Sequence, residues 1–338
     1  MATRTTTQPS IRRTSREMND LPSAAGRAHR IGDARCVLFA YQEAGYACME
    51  ALLETGAPIA ALFTHTDSPG EEIWWRSCAD LAGAHAIPVY TPEKIGAEEL
   101  ELLRALAPAV IYSFYYRNLL PVAVLRCAPL GAYNLHGSLL PRYRGRAPVN
   151  WMIVNGETQG GVTLHHMVER ADAGDIVAQC AVAIDDGDTA LTLYRKIVAL
   201  AAALLREYHP QIIAGCAPRR PQDLSAGSYY GRRRPEDGRI DWSWPARRIF
   251  NLVRAVTHPY PGAFGFAGGR KVVVWQARIA SEAGERGAPG TIINQSADGA
   301  IEVAAGVGSL LIVRAQIENQ VERDGADALG NFLRIRLE

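Results

Sequence analysis

Residues 35–63 read RCVLFAYQEAGYACMEALLETGAPIAALF, and this stretch decides the fold. Arg35-Cys-Val-Leu-Phe-Ala40 is a short apolar run without alternation, the pattern of a strand buried on both faces. Ala44–Thr55 carries apolar side chains at helical spacing and stops at Gly56, a residue suited to a helix C-cap. Pro58–Phe63 is a second apolar run, followed by polar His65-Thr-Asp67. Strand, helix and strand in close succession indicate a parallel sheet flanked by helices.

The alternation continues outward. Helices are expected at Glu71–His85, Ala97–Leu106 and, briefly, Pro121–Cys127, with strands at Ile87–Tyr90, Ala109–Phe114 and Gly131–His136. A helix at Ala147–Gly156, strands at Gly161–Val168 and Ile176–Ile184, and a long helix at Thr189–Ala214 follow, Asp188 being placed to cap the last. Composition then shifts. Cys216–Gly238 carries Arg219, Arg220, Arg232, Arg233 and Arg234 among Pro and Gly and reads as a linker. Beyond it come a helix near Ala246–Val256 and short strands at Arg270–Arg278, Gly290–Ile293, Ile301–Ala304 and Leu310–Arg314, the pattern of a small β-barrel. The fold class is therefore α/β: a Rossmann-like parallel sheet flanked by helices, with a smaller, OB-like C-terminal β-barrel. The expected boundaries are a disordered tail at 1–33, a first domain at 34–220, a linker at 221–240 and the barrel domain at 241–338.

Composition narrows the function. The 338 residues hold 36 Lys and Arg against 35 Asp and Glu. Seven arginines against three acids in residues 1–35 give that tail an excess of +4, which leaves the remainder near −3. A nucleic-acid binder needs a basic stripe on its folded surface, so the balance counts against one. No apolar run reaches the roughly 20 residues of a membrane helix, and no secretory leader is evident. The six cysteines lack metal spacing and read as reduced thiols of a cytoplasmic protein. No G-x-G-x-x-G follows the first strand, where Ala40-Tyr-Gln-Glu-Ala-Gly45 stands instead, so a conventional dinucleotide site and a nicotinamide oxidoreductase are disfavoured.

Parallel sheets bind ligands beyond the C-terminal ends of their strands, and His65–Asp67, Tyr115–Arg117 and Asn134–His136 all fall at such ends. The most informative string is Asn134-Leu-His-Gly-Ser-Leu-Leu-Pro-Arg-Tyr-Arg-Gly-Arg-Ala-Pro148. Side chains alternate along a strand, so Asn134 and His136 share a face. An amide that donates to a developing oxyanion beside an imidazole that exchanges protons suits acyl transfer. Gly137 lets the chain leave the strand, and Arg142, Arg144 and Arg146 are placed to hold carboxylate or phosphate. Asp172, in the polar turn Glu169–Asp175, is the candidate partner of His136, since a nearby carboxylate favours the imidazolium. Asn-x-His alone is a weak signal; the extended string is what raises it. His165 and His166 read as structural residues of a strand, Trp74 and Trp75 as residues of a helix face. Tyr115 is a candidate lining residue of a substrate slot, and Arg233 a candidate pyrophosphate grip, with core packing and a solvated linker as their plain alternatives.

The string resembles the signature of the folate-dependent formyltransferases, and further matches run from about Arg35 to beyond Phe264: Phe63-Thr-His-Thr-Asp67, Ser113–Arg117, Asn150-Trp151, Val154–Thr158, Gly161–His165, Arg170–Gly174, Gly231–Arg233 and Val253–Val256. The likeness is greatest to the formyltransferase domain of the UDP-4-amino-4-deoxy-L-arabinose enzymes of lipid A modification and polymyxin resistance. It implies 10-formyltetrahydrofolate as co-substrate, without a metal, and the amine of a nucleotide-linked amino sugar as acceptor. It implies that Asn134 stabilises the oxyanion, His136 moves the proton and Asp172 tunes His136. Asn118, Leu119, Leu120, Arg146, Val168, Glu169, Arg170, Ala171 and Asp172 would form the folate site, with backbone groups reading the pterin. The partners implied are a sugar nucleotide and a folate, with no membrane insertion and with a homo-oligomer left open. The length leaves no room for the oxidative decarboxylase domain of those enzymes, so formyl transfer alone is expected. Methionyl-tRNA formylation is the alternative on the same scaffold. A non-catalytic relative is the third reading, and it would expect the loss of Asn134, His136 or Asp172, all of which are present.

Overall fold

A computed structural model describes residues 33–68, 70, 72–330 and 336–338. The tail expected at 1–33 lies outside the described residues except for Asp33. In chain order the elements are β1 (Cys36–Ala40), α1 (Gln42–Glu54), β2 (Ile59–Phe63), α2 (Cys78–Ala84), β3 (Val89–Tyr90), α3 (Ala97–Leu106), β4 (Val110–Phe114), α4 (Val122–Leu125), β5 (Ala132–His136), β6 (Arg144–Gly145), α5 (Pro148–Val154), β7 (Gln159–His166), β8 (Ile176–Ala183) and α6 (Ala190–Ile213). They continue with β9 (Tyr229–Tyr230), α7 (Ala246–Val256), β10 (Ala263–Ala267), β11 (Arg270–Ser281), β12 (Ile292–Gln295), β13 (Ile301–Ala304), β14 (Ser309–Ile317), β15 (Arg323–Asp324) and α8 (Gly325–Leu329).

The first sheet has the order β3-β2-β1-β4-β5-β7-β8. Its first five strands are parallel. β7 pairs antiparallel with both β5 and β8, so an antiparallel hairpin edge completes the Rossmann-like parallel sheet. The short turn at 167–175 allows this, because a hairpin needs no crossover. Every residue of β1 and β4 is buried, and alternate side chains serve two cores. Leu38, Tyr112 and Phe114 meet the face covered by α1 and α6, while Val37, Phe39 and Ile111 meet Leu103 of α3 and Val124 of α4. Strand order reverses between β1 and β4, which opens a crevice beyond their C-terminal ends.

The helix expected at Glu71–His85 is shorter, starting only at Cys78, and Glu71 itself lies outside the described residues. Ser77 caps it by accepting the Asp80 N–H, so the apolar Trp74 and Trp75 precede the helix. They pack as an edge pair instead, Trp74 against Tyr194 of α6.

The second sheet is antiparallel, in the order β10-β11-β14-β13-β12, with β15 on β14. Residues 336–338 bond to both of its edges, Glu338 exchanging hydrogen bonds with Phe266 and Leu337 donating to Gly290 O, which closes the sheet on itself. The hairpin strand β10 was not read from the sequence, because Gly265 interrupts its apolar run. Helix α7 joins the two sheets. Its apolar face is buried, Thr257 after it donates to Trp275 O at 2.7 Å, and Asn150 of α5 donates to Ala255 O at 2.8 Å. Among the described residues no helix is long and apolar enough to cross a membrane.

Candidate active site

Strand β5 carries the informative string, and its register sets the site. On one side it pairs with β4, on the other with β7, so that Asn134 lies opposite His165 and His136 opposite Thr163. The loop after His136 is held tightly. Thr163 Oγ1 donates to Ser138 O at 2.7 Å and accepts from Leu140 N at 3.0 Å, and Gln179 Nε2 donates to Leu140 O at 2.8 Å.

Hydrogen bonds assign the tautomers. His136 Nε2 lies 2.7 Å from Tyr143 O, a carbonyl that can only accept, so Nε2 carries a proton. Nδ1 is then the nitrogen that can gain or lose one, and it faces Asp172 Oδ1 at 3.6 Å. His165 Nδ1 likewise donates to His166 O at 2.8 Å, which leaves Nε2 with a lone pair toward Asn134 Nδ2 at 3.1 Å. The Asn134 amide is thereby oriented, with one N–H committed to His165. Burial pushes the His165 pKa down to about 4 even though Asp172, 3.8 Å away, favours its charged form, so this ring is neutral near pH 7. Asp172 sits at φ +54°, its Oδ2 accepting the Gly145 N–H at 2.9 Å and its carbonyl accepting from Gln222 Nε2 at 3.1 Å. Two backbone groups of one loop, Tyr143 O and Gly145 N, thus fix His136 and Asp172 respectively.

That loop is itself bonded to the stretch expected as a linker. β6 pairs with β9, Arg144 N donating to Ser228 O at 3.0 Å and Arg146 N to Tyr230 O at 2.9 Å. Tyr143 stacks on Tyr230 at 4.9 Å, and Trp151 Nε1 donates to Gly231 O.

The other candidate residues separate into groups. Asn118, Leu119 and Leu120 follow β4. Asn118 Nδ2 donates to Glu93 O at 3.0 Å, Leu119 is 77% exposed, and Leu120 is buried, leaving only its backbone to a ligand. Arg146 reaches this segment, its Nη2 donating to Arg117 O at 3.2 Å. Val168, Glu169 and Arg170 are exposed, and Ala171 half-buried, in the turn that ends at Asp172. Arg233 lies with its guanidinium 4.6 Å from the Trp151 ring centre, and burial lowers its pKa. Tyr115 has its hydroxyl buried without a partner among the described residues, its ring packs on Tyr194, and a Cβ on Gly137 would stand 2.6 Å from that hydroxyl. His165, expected as a structural strand residue, joins this candidate site through its contacts to Asn134 and Asp172. The signal was available, since a hairpin pairing of Gly161–Val168 with the Asn134 strand puts that ring against the amide.

Together these groups offer a carbonyl carbon an amide donor for developing negative charge and a ring nitrogen that exchanges a proton opposite a carboxylate. Residues 37–208 match the family described as Formyl transferase, and residues 233–332 match Formyl transferase, C-terminal domain. The chain belongs to the formyl transferase family. Solved structures share this formyl transferase fold. HypX from Aquifex aeolicus, in complex with tetrahydrofolic acid, is 19% identical at TM-score 0.60 over 88% of this chain and 47% of its own. The chain thus spans about half the length of the HypX chains it matches. An N-formyltransferase from Helicobacter canadensis, in complex with folinic acid and dTDP-3-aminofucose, is 19% identical at TM-score 0.64 over 82% of this chain and 98% of its own. WlaRD, a sugar 3N-formyl transferase, is 18% identical at TM-score 0.63 over 85% and 98%.

Proposed function

We propose that this formyl transferase moves the formyl group of 10-formyltetrahydrofolate onto the amine of a nucleotide-linked amino sugar, UDP-4-amino-4-deoxy-L-arabinose, in the cytoplasmic step of lipid A modification that leads to polymyxin resistance. The observation that carries the reading is the cluster beyond β5, where Asp172 faces both His136 and His165 and His165 holds the Asn134 amide. Residues 34–220 form the catalytic domain and 241–338 the smaller domain in this reading, with 221–240 between them.

The sugar amine attacks the formyl carbon. A C–N bond forms, the carbonyl electrons move to oxygen, and the oxyanion accepts the second N–H of Asn134. His136 takes the amine proton at Nδ1, where Asp172 faces the charge gained. The bond to folate N10 then breaks, the carbonyl re-forms, and the proton passes to the leaving nitrogen. Asn118–Leu120, Arg146 and Val168–Asp172 cradle the folate, and Arg233, braced on Trp151, holds the diphosphate. Support for the two ligands comes from the relatives solved with tetrahydrofolic acid, and with folinic acid and dTDP-3-aminofucose.

The test is mass spectrometry of the products from 10-formyltetrahydrofolate and a panel of UDP- and dTDP-linked amino sugars. A formylated UDP-4-amino-4-deoxy-L-arabinose is the expected product. Formylation of a different sugar would move the acceptor. Formylation of methionyl initiator tRNA, with every sugar untouched, would overturn the reading.

A further inference from the structure

We infer that His65 is a positioning residue for the folate cradle, fixing the backbone of Arg117, whose carbonyl orients Arg146. This rests on the folate reading above and names a residue that the reading did not use.

The chain leaves β4 through Tyr115 at φ +56°, a left-handed conformation that costs an L-residue about 1–2 kcal/mol and needs holding from outside. His65, just past β2, supplies the hold. Its Nε2 accepts the Arg117 N–H at 3.0 Å. Its ring stacks on Tyr116 at 4.1 Å and meets the edge of Tyr41 at 5.3 Å. The Arg117 side chain closes the cluster from above, its guanidinium 4.5 Å over the Tyr41 ring, with Nη2 donating to Tyr41 Oη and Nη1 to Ser68 Oγ. Tyr41 in turn donates to Asp67 Oδ1 at 2.5 Å.

The other end of the same residue faces the cradle. Arg117 O accepts from Arg146 Nη2, and that is the one side-chain hydrogen bond of Arg146 among the described residues, which leaves its remaining donors for a ligand. His65 and Arg146 therefore grip the two ends of one residue, and Asn118–Leu120 begin immediately after it. The grip needs a neutral ring. Burial, aided by the Arg117 charge, pushes the His65 pKa down to about 4, so Nε2 keeps its lone pair near pH 7.

The experiment separates the ring from its acceptor nitrogen. His65→Phe keeps a flat ring between Tyr116 and Tyr41 but cannot accept, whereas His65→Gln places an amide oxygen near the Nε2 position. The dissociation constant of 5-formyltetrahydrofolate is measured by calorimetry for both, alongside Tm. His65→Phe should bind about 5- to 10-fold more weakly, the worth of one hydrogen bond, and His65→Gln should stay within about 2-fold of wild type. His65→Leu, a second variant without an acceptor, is read in the same way should the phenylalanine variant not fold. Wild-type affinity in a folded His65→Phe, or a His65→Gln as weak as His65→Phe, overturns the inference while leaving the folate reading standing. A wild-type protein that does not bind the folate removes both.

Discussion

Gly145→Ala should unfasten the loop that holds His136 and Asp172. Gly145 has φ +98°, and a Cβ there would stand 2.2 Å from Tyr230 O and 3.0 Å from Tyr229 Cζ. Carbon and oxygen approach no closer than roughly 3.3 Å even in favourable C–H···O contacts, so β6 and β9 must part by about 1 Å. The left-handed conformation costs about 1–2 kcal/mol for a residue with a side chain. The two ladder bonds across the gap, from Arg144 N and Arg146 N, are worth about 1 kcal/mol each. A loss of about 3–4 kcal/mol in stability follows. The same displacement moves Tyr143 O from His136 and Gly145 N from Asp172, and a misplacement of about 1 Å in such supports costs about 100-fold in rate. Thermal unfolding and initial-rate measurements read both effects, with Gly231→Ala as control, because a Cβ there meets nothing within 4 Å. Equal Tm and kcat for Gly145→Ala and wild type would show that the loop does not fix His136 and Asp172.

His136→Ala should abolish formyl transfer while folate binding survives in calorimetry; measurable turnover by the folded variant would remove His136 from its role. His165→Leu leaves His166 O and Asn134 Nδ2 without their partner, costing about 1–3 kcal/mol in stability and lowering kcat more than it raises the KM for folate; an unchanged kcat would show that the Asn134 amide needs no such anchor. Burial holds the 0%-exposed His209 neutral, with its pKa down to about 4. The unfolded chain takes up that proton near pH 6.5, so stability is full above this pH and falls toward pH 4 at about 1.4 kcal/mol per pH unit for each such ring. His209→Asn, which does not titrate, should lower the slope of urea-unfolding stability between pH 6.5 and 5 by that amount; an unaltered slope contradicts the assignment.

Local pattern made the first sheet legible. β1, α1 and β2 lie where apolar runs and Gly56 put them, and β5 ends on the expected amide and imidazole. Tertiary relations were less so. The reversal of β7 depends on pairing across the sheet, and neither strand direction nor partner is written in an apolar run. β10 escaped because Gly265 breaks the period, although Gly268 and Gly269 supply a hairpin turn. His165 looked like one of two ordinary strand histidines until its register with Asn134 was known. The positive φ of Tyr115 is equally hidden, because nothing local to Tyr115-Tyr-Arg117 requires that conformation. Trp74 and Trp75 are apolar but precede the helix, because Ser77 caps it three residues before Asp80.

The short β6–β9 ladder has a consequence for exchange of parts between relatives. The staple that sets the His136 ring and the Asp172 carboxylate is half supplied by the chain that leads into the closed antiparallel sheet. A hybrid cut just after α6 would therefore inherit its turnover number, and not only its choice of acceptor, from the donor of the downstream half. A cut after Gly231 would carry the native staple with it.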